Sequence, residues 1–217
     1  MKFENTQIFN FEGALRGMRN PKNSWEKSDS YYDGDKYIIG ENDMKLATIL
    51  IKAGNEHRKF MRQIFVSVDI TAPLYWFSEF DTYKIGTTAN STSKMHKLAS
   101  TPITIDCFET NDFHPETMLI NDMNVATCAS AFITVLEQLR NLYLKTGDKA
   151  YWKELIRWLP ESWLQTRTVT MNYENLVSMC KQRRYHKLNE WSGCNDPTKP
   201  NFISWARSLP YAKEFIF

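Results

Sequence analysis

Residues 71 to 96 set a short aromatic helix against a run of small hydroxyl side chains, and that run carries the residue types that hold a phosphate. Gly86, Thr87, Thr88, Asn90, Ser91, Thr92 and Ser93 offer backbone N–H groups and hydroxyls with little bulk, and Lys84 and Lys94 flank them with positive charge. Clustered donors of this kind suit an anion. Taken by its residues alone, the same stretch also reads as a solvated surface loop. Ahead of it, Pro73 fits the first turn of a helix with Thr71 as its cap. Leu74, Phe77, Phe80 and Asp81 then step around one side of that helix, which gives way to the polar loop after Lys84.

From Ala72-Pro73 the chain runs without a gap into Thr82-Tyr83-Lys84-x-x-Thr87-x-x-x-x-Thr92-x-Lys94. Upstream stands Glu56-His57, and downstream come Leu159-Pro160, Met171-Asn172, Arg183 and the closing Leu209-Pro210-Tyr211-Ala212-Lys213-Glu214-Phe215-Ile216. In this order the elements resemble the flavin-dependent thymidylate synthases, whose signature reads R-H-R-x-x-S-x-x-x-x-S-x-R. The resemblance spans roughly residues 10 to 217. Both signature serines are threonine here and two arginines are lysine, while Thr82 and Tyr83 replace the leading arginine and histidine.

The resemblance implies a methyltransferase that converts dUMP to dTMP, with the carbon from methylenetetrahydrofolate and the hydride from FAD reduced by NADPH. The flavin carries the redox step and the protein orients and polarises. Residue by residue, it implies that Thr87, Thr92, Ser93 and Lys94 hold the nucleotide, with lysine giving charge without arginine's bidentate fork. Glu79 stands in the place of a family glutamine on the substrate side. Arg183 matches an arginine that reaches the nucleotide, and Arg157 lies within one residue of another; either would stabilise negative charge on the uracil. Glu56, His57, Tyr83, Lys84 and Asn172 are the implied flavin contacts. Glu174 falls where the family often has arginine, so with Thr82 and Tyr83 it removes positive charge from the flavin pyrophosphate site. The resemblance further implies a homotetramer with sites between subunits. A non-catalytic or repurposed nucleotide-binding protein on the same scaffold accounts for the same residues, and a structural oligomer without a small-molecule site is a third reading.

The whole chain bounds these expectations. Its 217 residues suit one domain, 1 to 217, with a substantial core. Apolar residues at 42% and aromatics at 14% indicate a folded globular protein with rings to spare for stacking on a flavin or a base. Lys plus Arg 27 against Asp plus Glu 25 is too balanced for a chain that wraps nucleic acid, yet suffices for one phosphate-bearing small molecule. The N-terminal residues lack a signal-peptide core and no segment approaches a membrane span, so a cytoplasmic protein without nucleic-acid or membrane partners is expected. Cys107, Cys128, Cys180 and Cys194 show no C-x-x-C spacing, and the four histidines are scattered, so free thiols and no metal site are expected.

To position these residues the pattern predicts an α/β (α+β) fold with a mixed, largely antiparallel sheet flanked by long helices. Helices are expected over 11 to 18, from an Asn42 or Asp43 cap to Gly54, over 123 to 145 before Gly147, over 148 to 159, from Asn172 toward Arg183, and over 202 to 208. Residues 19 to 36 read as a polar loop, and 192 to 200 as a breaker-rich insertion or remodelling. Alternation places Ile64, Val66, Val68 and Ile70 opposite Phe65, Ser67 and Asp69, a strand over 60 to 70, with further extended segments at 101 to 108 and 162 to 170. Trp76, Phe80 and the 123 to 145 helix supply more apolar surface than one sheet face needs, which predicts an oligomer.

Overall fold

The computed structural model describes every residue except 112, 120 and 121. The chain runs β1 (Lys2–Phe9), α1 (Phe11–Arg19), β2 (Tyr31–Asp33), β3 (Lys36–Ile38), α2 (Glu41–Lys52), β4 (Phe65–Pro73), α3 (Leu74–Phe80), β5 (Thr88–Ser91) and α4 (Lys94–Lys97). Then follow α5 (Val125–Thr146), α6 (Lys149–Arg157), β6 (Leu164–Asn172), α7 (Tyr173–Arg183), α8 (Asn189–Ser192), α9 (Phe202–Arg207) and α10 (Ala212–Phe215). The fold is mixed α+β with a largely antiparallel sheet. Its main sheet has the order β1-β4-β6-β5, and β2 and β3 form a separate antiparallel hairpin.

Register along β4 and β6 is legible in side-chain pairs. Thr168 donates to Asp69 at 2.6 Å, Thr71 and Thr166 hydroxyls meet at 2.7 Å, and Tyr173 N–H donates to the Ile64 carbonyl at 3.0 Å. Each step up one strand is a step down the other, so the pairing is antiparallel. This polar face leaves the opposite one to Ile64, Val66, Val68, Ile70, Val169 and Met171, all buried. The alternation predicted for β4 therefore holds, and a one-residue slip would expose all of it.

The chain clusters into two compact units, Met1–Ile70 with Asp81–Asn90 and Thr168–Phe217, and Thr71–Phe80 with Ser91–Arg167. In the first, α1 buries Phe11, Ala14, Leu15 and Met18, the spacing of one helical face. Aromatic edges join it to the C-terminal segment, with Phe11 against Tyr173 at 5.6 Å and against Tyr211 at 5.5 Å. In the second unit α5 packs on α6, over a core of Leu98, Ile103, Phe108, Leu136 and Leu155. Asn124 and Asp148 cap these helices through their side chains, and Gly147 at φ 69 ends α5 as expected.

Several expectations are corrected. Thr71 is not a helix cap: β4 continues through Pro73 and α3 starts at Leu74. Residues 59 to 63, with Phe60 and Met61 both buried, form a 3-10 turn closed by the Met61 N–H to the Arg58 carbonyl at 3.0 Å, so the strand begins only at Phe65. Residues 101 to 108 are not a strand, because the Ile103 N–H goes to Glu137 on α5 and only Phe108 bridges, to Trp163. The 19 to 36 loop contains strand β2, and the 86 to 93 loop contains β5. Helix α2 starts after Gly40, with Asp29 accepting from the Asn42 and Asp43 N–H groups. Trp76 and Phe80 stack on each other at 5.1 Å and are buried within the chain, so they are not interface surface.

Candidate active site

In the first unit the start of α7 holds Asn172, one of the expected contacts, in a side-chain network. Asn172 and Asn175 cap reciprocally: the Asn175 N–H donates to the Asn172 side chain at 2.9 Å and the Asn172 N–H donates to the Asn175 side chain at 3.1 Å. Asn175 also donates to the Ile85 carbonyl at 2.8 Å, which draws the 85 to 87 turn onto the helix. Gly86 sits at φ +74, and a Cβ there would lie 3.0 Å from both asparagine side chains. Glycine takes that φ without strain, whereas a side chain would be strained there and would press on both asparagines. The adjoining Thr87 hydroxyl is buried without a hydrogen-bond partner, an orphan that a bound polar group would satisfy.

Glu174 in the first turn pairs with Arg58 at 2.9 Å, and Arg58 also donates to Asn55 at 2.6 Å. The Arg58 Nε and the second Glu174 oxygen are buried with no partner. The neighbouring His57 and Glu56 line a cavity of about 520 Å³, together with Lys59, Gln63 and an apolar wall of Leu46, Ile49, Leu50 and Phe60. That volume lies in the range of small-molecule sites.

At the other end of α7, the Arg183 Nε donates to the Tyr83 hydroxyl at 3.0 Å, and that hydroxyl donates to Gln182 at 3.0 Å. The guanidinium carbon lies 5.5 Å from the Tyr83 ring and 5.3 Å from the Trp191 ring, within cation–π range of both. Trp191 is buried and meets Tyr83 edge-on at 6.2 Å. Lys84, next in the chain, is exposed.

The second unit holds the rest of the expected nucleotide contacts. Thr92 is fixed by its main chain, its N–H donating to the Thr166 carbonyl at 2.9 Å and its carbonyl accepting from Gln165 at 2.8 Å. Arg167 donates to Gln165 at 2.9 Å and lies 3.9 Å over the Phe77 ring. Ser93 precedes α4, whose first residue is the half-buried Lys94, and Glu79 is half-buried near the end of α3. Arg157, on the exposed last turn of α6, is ion-paired to Glu154 of the same helix.

The first unit thus gathers Glu56, His57, Tyr83, Lys84, Thr87, Asn172 and Arg183, and the second Glu79, Thr92, Ser93, Lys94 and Arg157. Sequence reading missed four contributors: Arg58, Gln182, Trp191 and Arg167. Arg58 directly follows Glu56-His57 and Gln182 directly precedes Arg183, so adjacency was the available signal. Trp191 stands just before the breaker-rich loop, and nothing local ties it to Tyr83.

No family model matches the chain, and no curated protein matches it. Solved structures do. The flavin-dependent thymidylate synthase ThyX from Helicobacter pylori complexed with FAD and dUMP aligns at TM-score 0.66 and 18% identity, covering 99% of this chain and 98% of that one. The chain has the fold of a flavin-dependent thymidylate synthase. A second H. pylori ThyX structure with FAD and dUMP gives TM-score 0.65 at 18% identity, covering 100% and 97% of the two chains. The UMP/dUMP methylase PolB from Streptomyces cacaoi, bound with 5-Br dUMP, gives 0.58 at 12%, covering 98% and 93%. The likeness to the thymidylate synthase fold therefore runs end to end at very low identity. Among the described residues, no helix is long and apolar enough to cross a membrane, and no group of three or more His, Cys, Asp or Glu is placed to hold a metal.

Proposed function

We propose that the chain is a flavin-linked enzyme that modifies a uracil deoxynucleotide, with methylation of dUMP to dTMP as the specific reaction. Methylenetetrahydrofolate would donate the carbon and NADPH would reduce the flavin. The observation that carries this reading is Arg183, matched in sequence to an arginine that reaches the nucleotide and held here between Tyr83 and Trp191. Its donors, kept in a fixed direction, would stabilise charge developing on the uracil carbonyls. Thr87, Thr92, Ser93 and Lys94 would take the phosphate.

FAD fits these residues in part. The cavity beside Glu56 and His57 has the volume and apolar wall that a flavin ring needs, and Lys84 and Asn172 would add polar contacts. When bound, the flavin would supply the hydride chemistry. The α7 start suits its pyrophosphate poorly, since the Glu174 and Arg58 charges cancel and leave no net cation there. That pair favours a second reading, a nucleotide-binding protein on the same scaffold with a changed cofactor or none. A homotetramer is proposed from the resemblance and from α5, where Phe132, Val135, Leu142 and Leu144 remain exposed on a helix that buries only Leu136 and Arg140. Light scattering at micromolar concentration is expected to give four chains, and a monomeric mass would remove the shared-site arrangement.

The deciding experiment follows colour and product together. Purified protein is scanned for flavin bands, titrated with FAD, and supplied with dUMP, methylenetetrahydrofolate and NADPH. The first reading expects FAD uptake and dTMP. Protein that binds dUMP but neither takes up FAD nor forms dTMP establishes the second.

A further inference from the structure

Within the first unit, α7 and α9 wall a second cavity of about 310 Å³ that shares no residue with the proposed flavin and nucleotide contacts. Cys180 and Lys181 fall with Val177 on one face of α7, Arg184 stands at the C-cap of that helix, and Arg207 comes from α9 one turn beyond Ile203. Three cations, all on exposed residues, thus line one cavity, and no Asp or Glu side chain is among the lining residues. In a chain with 27 basic and 25 acidic residues this is a local departure from balance. Cations in the last turn of each helix suit its dipole, but the dipole does not account for their turning toward one cavity.

Two of these cations lie near rings, Arg207 at Phe217, which lines the cavity, and Arg184 at the exposed Tyr185, which does not. The Arg207 guanidinium carbon lies 4.1 Å over the Phe217 ring, and that of Arg184 lies 5.3 Å from the Tyr185 ring. The remaining walls are apolar, from Val177, Ile203, Ile216 and Phe217. Burial pushes the Cys180 thiol up to about 12, against a smaller opposing pull from Arg207, so this lining residue is a neutral thiol and adds no anion to the cavity at neutral pH.

We propose that this cavity binds a phosphomonoester carrying a small apolar or aromatic group. Two guanidinium forks and an ammonium match a dianionic phosphate better than a singly charged carboxylate, and the apolar walls take the substituent.

The test uses phenyl phosphate as probe on the full chain, by calorimetry and by hydrogen exchange, with inorganic phosphate and benzyl alcohol as its separate halves. Phenyl phosphate is expected to bind at least about tenfold more tightly than either half, and to protect residues 177 to 184. Lys181→Gln and Arg207→Gln are each expected to weaken it by about tenfold, the scale of one charge-assisted hydrogen bond. Val177→Glu, which adds a carboxylate at the wall, is expected to abolish binding, and thermal melts check that each variant is folded. Lys94→Ala, at the proposed nucleotide contacts, is expected to leave phenyl phosphate affinity unchanged. Equal affinity for inorganic phosphate, indifference to all three cavity variants, or protection confined to residues 86 to 94 would each overturn the proposal.

Discussion

Glu174 accepts from Arg58 at 2.9 Å, so the carboxylate in the first turn of α7 is answered by a guanidinium that directly follows His57. An anion suits a helix N-terminus, and the guanidinium beside it leaves the pair neutral. Both side chains are mostly buried, 17% and 13% exposed. Removing one partner therefore costs more than a surface pair is worth.

Arg58→Ala is expected to destabilise the fold by about 1 to 3 kcal/mol, between exposed and fully buried pairs. The double variant Arg58→Ala with Glu174→Gln should recover part of that loss, because no unpaired carboxylate remains. Urea unfolding of the four proteins in the cycle checks both, and a double variant as unstable as the sum of the singles would mean that the two groups do not interact.

Replacing Thr82→Arg and Tyr83→His in the signature, together with Glu174→Arg beyond it, supplies the side chains the resemblance implies at these positions and is expected to raise FAD affinity, measured by flavin fluorescence. The structure adds a condition. Glu174→Arg places a second guanidinium against Arg58, so the triple variant should be less stable than its parent, and adding Arg58→Gln should relieve this while keeping the gain. No gain in either background means that the likeness ends at the fold.

Tyr83→Phe keeps the ring beside Trp191 but removes the hydroxyl that accepts from Arg183. With its direction loosened, Arg183 is expected to hold dUMP less well by about 1 kcal/mol, the net worth of one hydrogen bond. Lys94→Ala should cost about 1.5 to 3 kcal/mol, as for a charge-assisted contact. Thr92→Val deletes only a hydroxyl, since Thr92 is held through its main chain. Calorimetry with dUMP separates the three, and unchanged affinity in Lys94→Ala and Thr92→Val removes this loop from the site.

Asp43 predicts the acid limb of stability. Burial works to raise its carboxyl, but hydrogen bonds from Ser30, Ser28 and Arg19 outweigh it and hold the group below the ordinary carboxylate value. The folded value is thus lower than the unfolded one. Its stabilisation is present in full above the unfolded value, about pH 4, and is lost as pH falls through the folded value. Asp43→Asn leaves Arg19 buried opposite a neutral group and is expected to cost about 3 to 5 kcal/mol near neutrality. Chemical unfolding across pH should show the gap between the two proteins narrowing only below about pH 4; a gap that narrows on the alkaline side would reverse the assignment.

What the sequence determined by itself was whatever repeats over a few residues. The alternation of Ile64, Val66, Val68 and Ile70 set the buried face of β4, and Asn172 and Gly147 marked the start of α7 and the end of α5, because caps and periodicity act within one turn or one pleat. The ordered matches from Glu56 to Phe215 reached the fold for the same reason, each being a short local signature. Tertiary structure alone decided the partners. Arg183 and Tyr83 stand 100 residues apart, and Arg58 and Glu174 stand 116 apart. A hydrogen bond needs its atoms within about 3 Å, and no local pattern fixes which distant side chains packing brings that close. Packing also placed Trp76 and Phe80 inside rather than on an interface, since a helix of aromatic residues carries the same pattern whether its partner is the same chain or another.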